Sequence, residues 1–152
     1  MGGAADLSST GGHPRAPGPV QPQPDADTSG FWQATAGGEL SLCWCPPCRR
    51  YLHPPLERCR HCAGPTRFEP VSGRGRVHSF IVVNRAVAPG YQDRAGQVIV
   101  LVELEEQEGL RLLAQHDVSG PGAVQIGDPV EARLVDLPGG DYRIPVFHRL
   151  PG

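Results

Sequence analysis

The chain has 152 residues, 39% of them hydrophobic and 20% charged, with a formal net charge of −2 and an isoelectric point near 6.3. That balance speaks against the nucleic-acid binders, whose affinity rests largely on neutralising phosphates. All 14 basic residues are arginine, so the chain supplies no ε-amine for Schiff-base chemistry or for a P-loop.

Residues 1–29 are rich in Gly, Pro, Ala, Ser and Asp and nearly free of large apolar side chains. Such a segment cannot offset its ordering entropy, so a disordered arm or a linker left from a longer polyprotein is expected there. Phe31, Trp32, Ala36, Leu40 and Leu42 follow, with Thr28 or Ser29 as a cap and Gly37-Gly38 as a stop. The pattern predicts a two-turn helix, too short to stand alone, whose two aromatics need a surface to cover. Two covers compete: the adjoining cysteine-rich module, or a partner protein docked on Phe31 and Trp32.

The strongest local signal is the pair Cys45-Pro-Pro-Cys48 and Cys59-Arg-His-Cys62. Two residues between cysteines let one tight turn aim both sulfurs at a single ion, and two such turns complete a closed tetrahedral shell at Zn–S of about 2.3 Å. The spacing predicts a structural zinc ribbon over about residues 41–67; a disulfide or redox pair is the competing reading. A closed shell leaves no position for water or substrate. Arg49, Arg50, Arg58 and Arg60 lie where they could offset the charge of four thiolates, or form a solvated face. Cys43 shares the Cys45 face if this stretch is extended, and reads as a small semi-buried residue. His53 and His61 read as surface residues or as neighbours of the metal's ligands.

Beyond Pro70 the chain turns to short β-type runs: Val77–Val83, Val98–Leu104, Leu110–Gln115, Val130–Val135 and Tyr142–Phe147. Five strands in about eighty residues suggest a five-stranded Greek-key OB barrel. Val98-Ile99-Val100-Leu101-Val102 is apolar at every position, which predicts burial on both faces. Glu105–Gly109 and Pro138–Asp141 read as hairpin connections, and residues 119–122 as a longer crossing loop. The expected organisation is an arm over 1–29, helix plus ribbon over 30–69 and an OB-fold over 70–152.

No GxSxG elbow, HExxH or phosphate-cradling loop is present; Gly73-Arg74-Gly75-Arg76 reads as a bend into the first strand. His78, His116 beside Asp117, and His148 would need a carboxylate close in space to act as bases, and a lone strand histidine is more often structural. Glu103, Glu105, Glu106 and Glu108 read as solvating a hairpin. The sequence therefore favours binding or scaffolding, with no catalytic residue assigned. Five cysteines in a metal-type pattern, with no apolar stretch of signal or membrane-spanning type, predict a soluble cytoplasmic protein.

Phe31-Trp32 with Gly38-Glu39-Leu40, the two CxxC turns, Pro54-Pro55, Gly73-x-Gly75-x-Val77 and Ile126-Gly127-Asp128-x-Val130 occur in an order that resembles the zinc-ribbon plus OB-fold acyl-CoA-associated family. The resemblance covers nearly everything after residue 30. It implies structural Zn²⁺ and a non-catalytic accessory subunit of a thiolase-superfamily enzyme, either a thiolase or a lipid-transfer-protein-type aldolase acting on acyl-CoA thioesters in steroid side-chain degradation. A MaoC-like enoyl-CoA hydratase is a further implied partner. Phe31, Trp32, Arg49 and Arg50 are the expected partner contacts. Architecture alone leaves a second reading, a single-stranded nucleic-acid-binding zinc-ribbon/OB module, against which the acid excess after residue 70 counts.

Overall fold

The computed structural model describes residues 18–85, 91, 95–120 and 122–151. Residues 1–17 of the expected arm, and Pro121 of the expected crossing loop, lie outside the described residues. The chain runs through one helix, α1 (Ser29–Ala36), then β1 (Ser41–Cys45), β2 (Arg50–Leu52), β3 (Arg67–Pro70), β4 (Arg74–Val82), β5 (Val98–Leu104), β6 (Arg111–His116), β7 (Pro129–Asp136) and β8 (Arg143–Arg149). The fold is mostly β, as the sequence indicates. No described helix is long and apolar enough to cross a membrane.

The first three strands form a small sheet in the order β2-β1-β3, and the last five close a barrel in the order β4-β5-β6-β8-β7, with β4 pairing β7. The five apolar runs each produced one barrel strand, with Val98–Leu104 reproduced to the residue. All barrel pairings are antiparallel except β6 with β8, the seam left when the chain between them detours to build β7.

The barrel core is a single apolar cluster that includes Val77, Val100, Val102, Leu112, Val130 and Phe147, and it also takes in Leu40 and Leu42 from the start of the ribbon. Burial along β5 alternates, with Val98, Val100, Val102 and Leu104 inside and Ile99 and Leu101 only half-buried. The expectation of burial on both faces is thus corrected. A closed barrel has one inside, and successive side chains of a strand must leave it in turn. Ile99 and Leu101 stand outside, beside Ile81 and Leu113, their cross-strand partners.

Two glycines permit close approaches. A Cβ at Gly75 would lie 2.2 Å from the Glu103 carbonyl oxygen, so only glycine lets β4 close on β5 there; the bend itself is at Gly73, with φ +75°. A Cβ at Gly30 would fall 2.2 Å from the Phe68 ring, which packs against the first turn of α1. Thr28 is the N-cap of α1, yet its hydroxyl bonds Asp25 Oδ1 at 2.6 Å and makes no cap bond to the helix. Residues 18–28 lead into α1, and Gln21 Nε2 donates to the Pro138 carbonyl at 2.9 Å.

Candidate metal centre

β1 delivers Cys45 at its end, and the Pro46–Arg49 turn returns the chain to β2, where Arg50 pairs with Cys45. The second turn is built alike. The Ala63 N–H donates to the Cys59 carbonyl at 2.8 Å and the Cys59 N–H to the Gly64 carbonyl at 2.9 Å. In both, the residue after the second cysteine takes a positive φ, 51° at Arg49 and 58° at Ala63. This shared geometry turns both sulfurs of each CxxC toward the same point.

The four Sγ atoms of Cys45, Cys48, Cys59 and Cys62 all lie within 4.8 Å of one another. Cys45 and Cys62 are 3.5 Å apart and Cys48 and Cys59 are 3.8 Å apart, each pair drawing one sulfur from each turn. These are not disulfides, and all five cysteines are free. The edge of a tetrahedron with Zn–S of about 2.3 Å is roughly 3.8 Å, so the donor set fits a tetrahedral thiolate-binding metal ion.

Electrostatics point the same way. The Cys62 thiol, burial and the other two thiols push Cys48 up to about 12, and burial raises Cys45. Burial acts on Cys59 in the same direction, but the His61 and Cys62 N–H groups together with the Cys45 and Cys48 thiols outweigh it and bring Cys59 down to about 6. The site thus favours a thiolate at Cys59 and opposes ionisation at Cys45 and Cys48, a conflict that a bound cation would relieve. The donors nearest the sulfurs are backbone amides. The His61 N–H reaches Cys59 Sγ and the Gly64 N–H reaches Cys62 Sγ, each at 3.4 Å. Arg49, Arg50, Arg58 and Arg60 are exposed, and Arg60 Nη2 donates to the His53 carbonyl at 3.2 Å.

Cys43 faces the same side of β1 as Cys45 but is not a member of the four; it is 1% exposed, with Sγ 3.5 Å from the Leu56 carbonyl. It is buried more fully than the semi-buried residue expected. His53 is half-buried, with burial first and Arg60 second lowering its pKa, and His61 is exposed. Neither joins the sulfur cluster.

The helix aromatics are not confined to the ribbon. Phe31 packs on the barrel core, and Trp32 meets Phe31 and Tyr142 edge-on, with ring centroids 5.0 and 5.6 Å away. The reading that they close over the cysteine module alone is thus corrected: α1 packs on β1 and β3 of the small sheet and also on β8 of the barrel. Trp44 and Tyr51 supply the ribbon's own aromatic contact at 4.8 Å. Sequence reasoning missed the clamp between ribbon and barrel. The Tyr51 N–H donates to Gln107 Oε1 at 2.8 Å and Gln107 Nε2 donates to the Tyr51 carbonyl at 3.2 Å. A glutamine in a hairpin carries no signal of such a role, since a partner 56 positions away is invisible locally.

Of the histidines, His78 is exposed on β4, whereas His116 pairs with Phe147 across the β6–β8 seam and His148 is the next residue along β8. The carboxylate asked for exists, but Asp117 serves His148, with Nδ1 to Oδ2 at 2.9 Å, and not its neighbour His116. In the acidic hairpin, Glu103 pairs with Arg111 at 3.0 Å, and Glu106 Oε1 accepts from the Ser72 N–H.

Comparison with known proteins places the barrel. Residues 68–140 match the family described as ChsH2, C-terminal OB-fold domain. The chain is 34% identical over 125 residues to a 3-oxo-4,17-pregnadiene-20-carboxyl-CoA hydratase alpha subunit of Mycobacterium tuberculosis, covering 78% of this chain and 37% of that protein. It is 35% identical over 89 residues to a DUF35 domain-containing scaffold protein of Methanothermobacter thermautotrophicus, covering 57% of this chain and 65% of that one. The chain thus spans less than two thirds of either relative. Among solved structures, it superposes on a chain of an Ltp2-ChsH2(DUF35) aldolase with a TM-score of 0.74 at 28% identity, covering 85% of this chain and 98% of the other. These matches bear out the ribbon-plus-OB resemblance drawn from the sequence.

Proposed function

We propose, from the match of residues 68–140 to the ChsH2 C-terminal OB-fold domain, that this protein is a non-catalytic accessory subunit of a thiolase-fold enzyme. The partner is a lipid-transfer-protein-type aldolase or a thiolase acting on acyl-CoA thioesters of steroid side-chain degradation. Carbon–carbon bond chemistry belongs to the partner, and this chain stabilises it. The observation that carries the reading is the superposition on 98% of a chain taken from an aldolase complex. The hydratase-subunit relative, of which this chain spans 37%, supports a MaoC-like enoyl-CoA hydratase as a further associate.

The geometry suits that role. Cys45, Cys48, Cys59 and Cys62 would hold Zn²⁺, which supplies a crosslink and no open coordination position. The Tyr51–Gln107 clamp holds ribbon and barrel in one orientation, so that exposed Arg49 and Arg50 and the half-buried Phe31-Trp32 pair present a fixed surface to the partner. Outside the barrel, Ile81 and Leu113 are 63% and 62% exposed beside Ile99 and Leu101, an apolar stripe of the kind interfaces use at their centres.

The test uses the full chain as bait in native lysate of its source, with and without nuclease. Co-elution of a thiolase-fold protein at matched stoichiometry, unaffected by nuclease, is the expected result. Partners lost on nuclease treatment would overturn it in favour of the single-stranded nucleic-acid module, and turnover of an acyl-CoA by the chain alone would overturn the non-catalytic assignment.

A further inference from the structure

The four sulfurs of the cage are not equally shielded. Cys45 and Cys59 are 0% and 3% exposed and Cys48 is half-buried, whereas Cys62 is exposed. The Cys62 Sγ accepts the Gly64 N–H at 3.4 Å, and a Cβ at Gly64 would lie 3.2 Å from that sulfur and 3.3 Å from Pro47 Cγ. Gly64 does not take a positive φ, so its backbone would accept a side chain. The missing side chain leaves an opening beside the Cys62 sulfur, bounded on its other side by the Pro47 ring.

Access matters here because of the state a bound ion imposes. A thiol that ligates a metal is deprotonated outright, and thiolate character combined with access selects the cysteine that an oxidant attacks. In the loaded centre all four sulfurs are thiolates, so access decides among them, and it favours Cys62. A second sulfur stands ready behind it. Cys45 Sγ, from the other turn, is 3.5 Å away, and a disulfide between them needs an approach of about 1.5 Å to reach the covalent S–S distance. Cys43 is 1% exposed and outside the group of four, which places it out of an oxidant's reach.

We propose that Cys62 is an oxidation site, through which a small hydroperoxide converts the metal centre into a Cys45–Cys62 disulfide. The Cys62 thiolate attacks the terminal peroxide oxygen: an S–O bond forms, the O–O bond breaks, and alkoxide leaves, or hydroxide where the oxidant is hydrogen peroxide. The Cys45 thiolate then attacks the Cys62 sulfur, the S–S bond forms, and hydroxide leaves from the sulfenic acid. Two thiolates are oxidised by two electrons in all, and the hydroperoxide is reduced by the same two. Cys48 and Cys59 remain, too few donors for a closed tetrahedral shell, and the ion is released. Since β1 carries both Cys45 and Leu42, and Leu42 packs in the barrel core, a pull on Cys45 is felt beyond the ribbon. The inference rests on the sulfur donor set and is independent of the accessory-subunit reading.

The experiment exposes the zinc-loaded full chain to hydrogen peroxide. Zinc release is followed with a chromogenic chelator, sulfenic acid is trapped with dimedone, and disulfides are located by peptide mass spectrometry. Zinc should leave as the Cys45–Cys62 disulfide forms, the trapped sulfenic acid should sit on Cys62, and reduction followed by added zinc should restore the metal content. Gly64→Ala, which sets a methyl beside the sulfur and keeps the N–H, should bind zinc fully and release it several-fold more slowly. Zinc retained after peroxide, trapping first at another cysteine, a disulfide confined to one turn, or an unchanged release rate in a zinc-loaded Gly64→Ala would each overturn the proposal. If Gly64→Ala binds zinc poorly, the trapping and the disulfide map of the unmodified chain remain decisive.

Discussion

Removing the metal, by chelation or by Cys45→Ser, is expected to destabilise the barrel, although no cysteine lies in it. The ribbon's own buried cluster is Cys43, Cys45, Leu52 and Cys59, with Cys48 and Phe68 at its edge. Leu52 and Phe68 contribute about 1.5–3 kcal/mol each at most, against roughly 1–2 kcal/mol of backbone entropy for every residue ordered. The ribbon therefore depends on the crosslink. Leu40 and Leu42, however, which precede and occupy β1, are 8% and 1% exposed and pack in the barrel core. When β2 and β3 release β1, both leucines leave that core, a loss of about 3–6 kcal/mol. Small domains hold only about 5–15 kcal/mol in total, so the melting temperature should fall by roughly 10–30 °C. Hydrogen exchange of the β5 amides, with and without metal, is the assay. Leu42→Ala in the loaded protein is the internal reference, expected to cost about 2–5 kcal/mol with full metal content. Unchanged β5 protection and an unchanged melting temperature after metal removal would refute the reasoning.

Acid should weaken the fold through His116 and His53. Burial is the largest cause lowering both pKa values below the ordinary 6.5. The unfolded chain then binds more protons than the folded one, so the stability they contribute is fully present above about pH 6.5 and is lost as pH falls from there toward the folded values. Denaturant midpoints should decline across that window, and less so in His116→Gln, which separates this effect from metal loss; a flat profile would contradict it. Gly75→Ala places a methyl 2.2 Å from the Glu103 carbonyl oxygen and should cost about 1–3 kcal/mol by chemical denaturation, whereas wild-type stability would mean that β4 and β5 can part without penalty. Trp32→Ala forfeits the Tyr142 edge contact, about 0.5–1.5 kcal/mol beyond lost area, in the isolated chain. If Trp32 also anchors the partner, calorimetry of the complex should show an additional loss of about 2 kcal/mol or more, and binding unchanged by the variant would remove it from the interface.

What the sequence by itself determined is what short-range chemistry can encode. Two CxxC turns each bring their sulfurs together because two intervening residues allow one tight turn, and Cys45, Cys48, Cys59 and Cys62 do converge. Apolar runs broken by Gly, Pro and Asp specify strands whatever they pair with, and all five lie where the barrel strands are. Tertiary structure alone decided the rest, because closing a barrel joins residues that no local pattern relates. Closure gave β5 one buried face and left Ile99 and Leu101 half out. It seated Phe31 on the barrel core and Trp32 against Tyr142, and it matched Tyr51 to Gln107. The parallel β6–β8 seam, which only the strand order creates, set Asp117 against His148 while leaving His116, its neighbour in sequence, without a partner among the described residues.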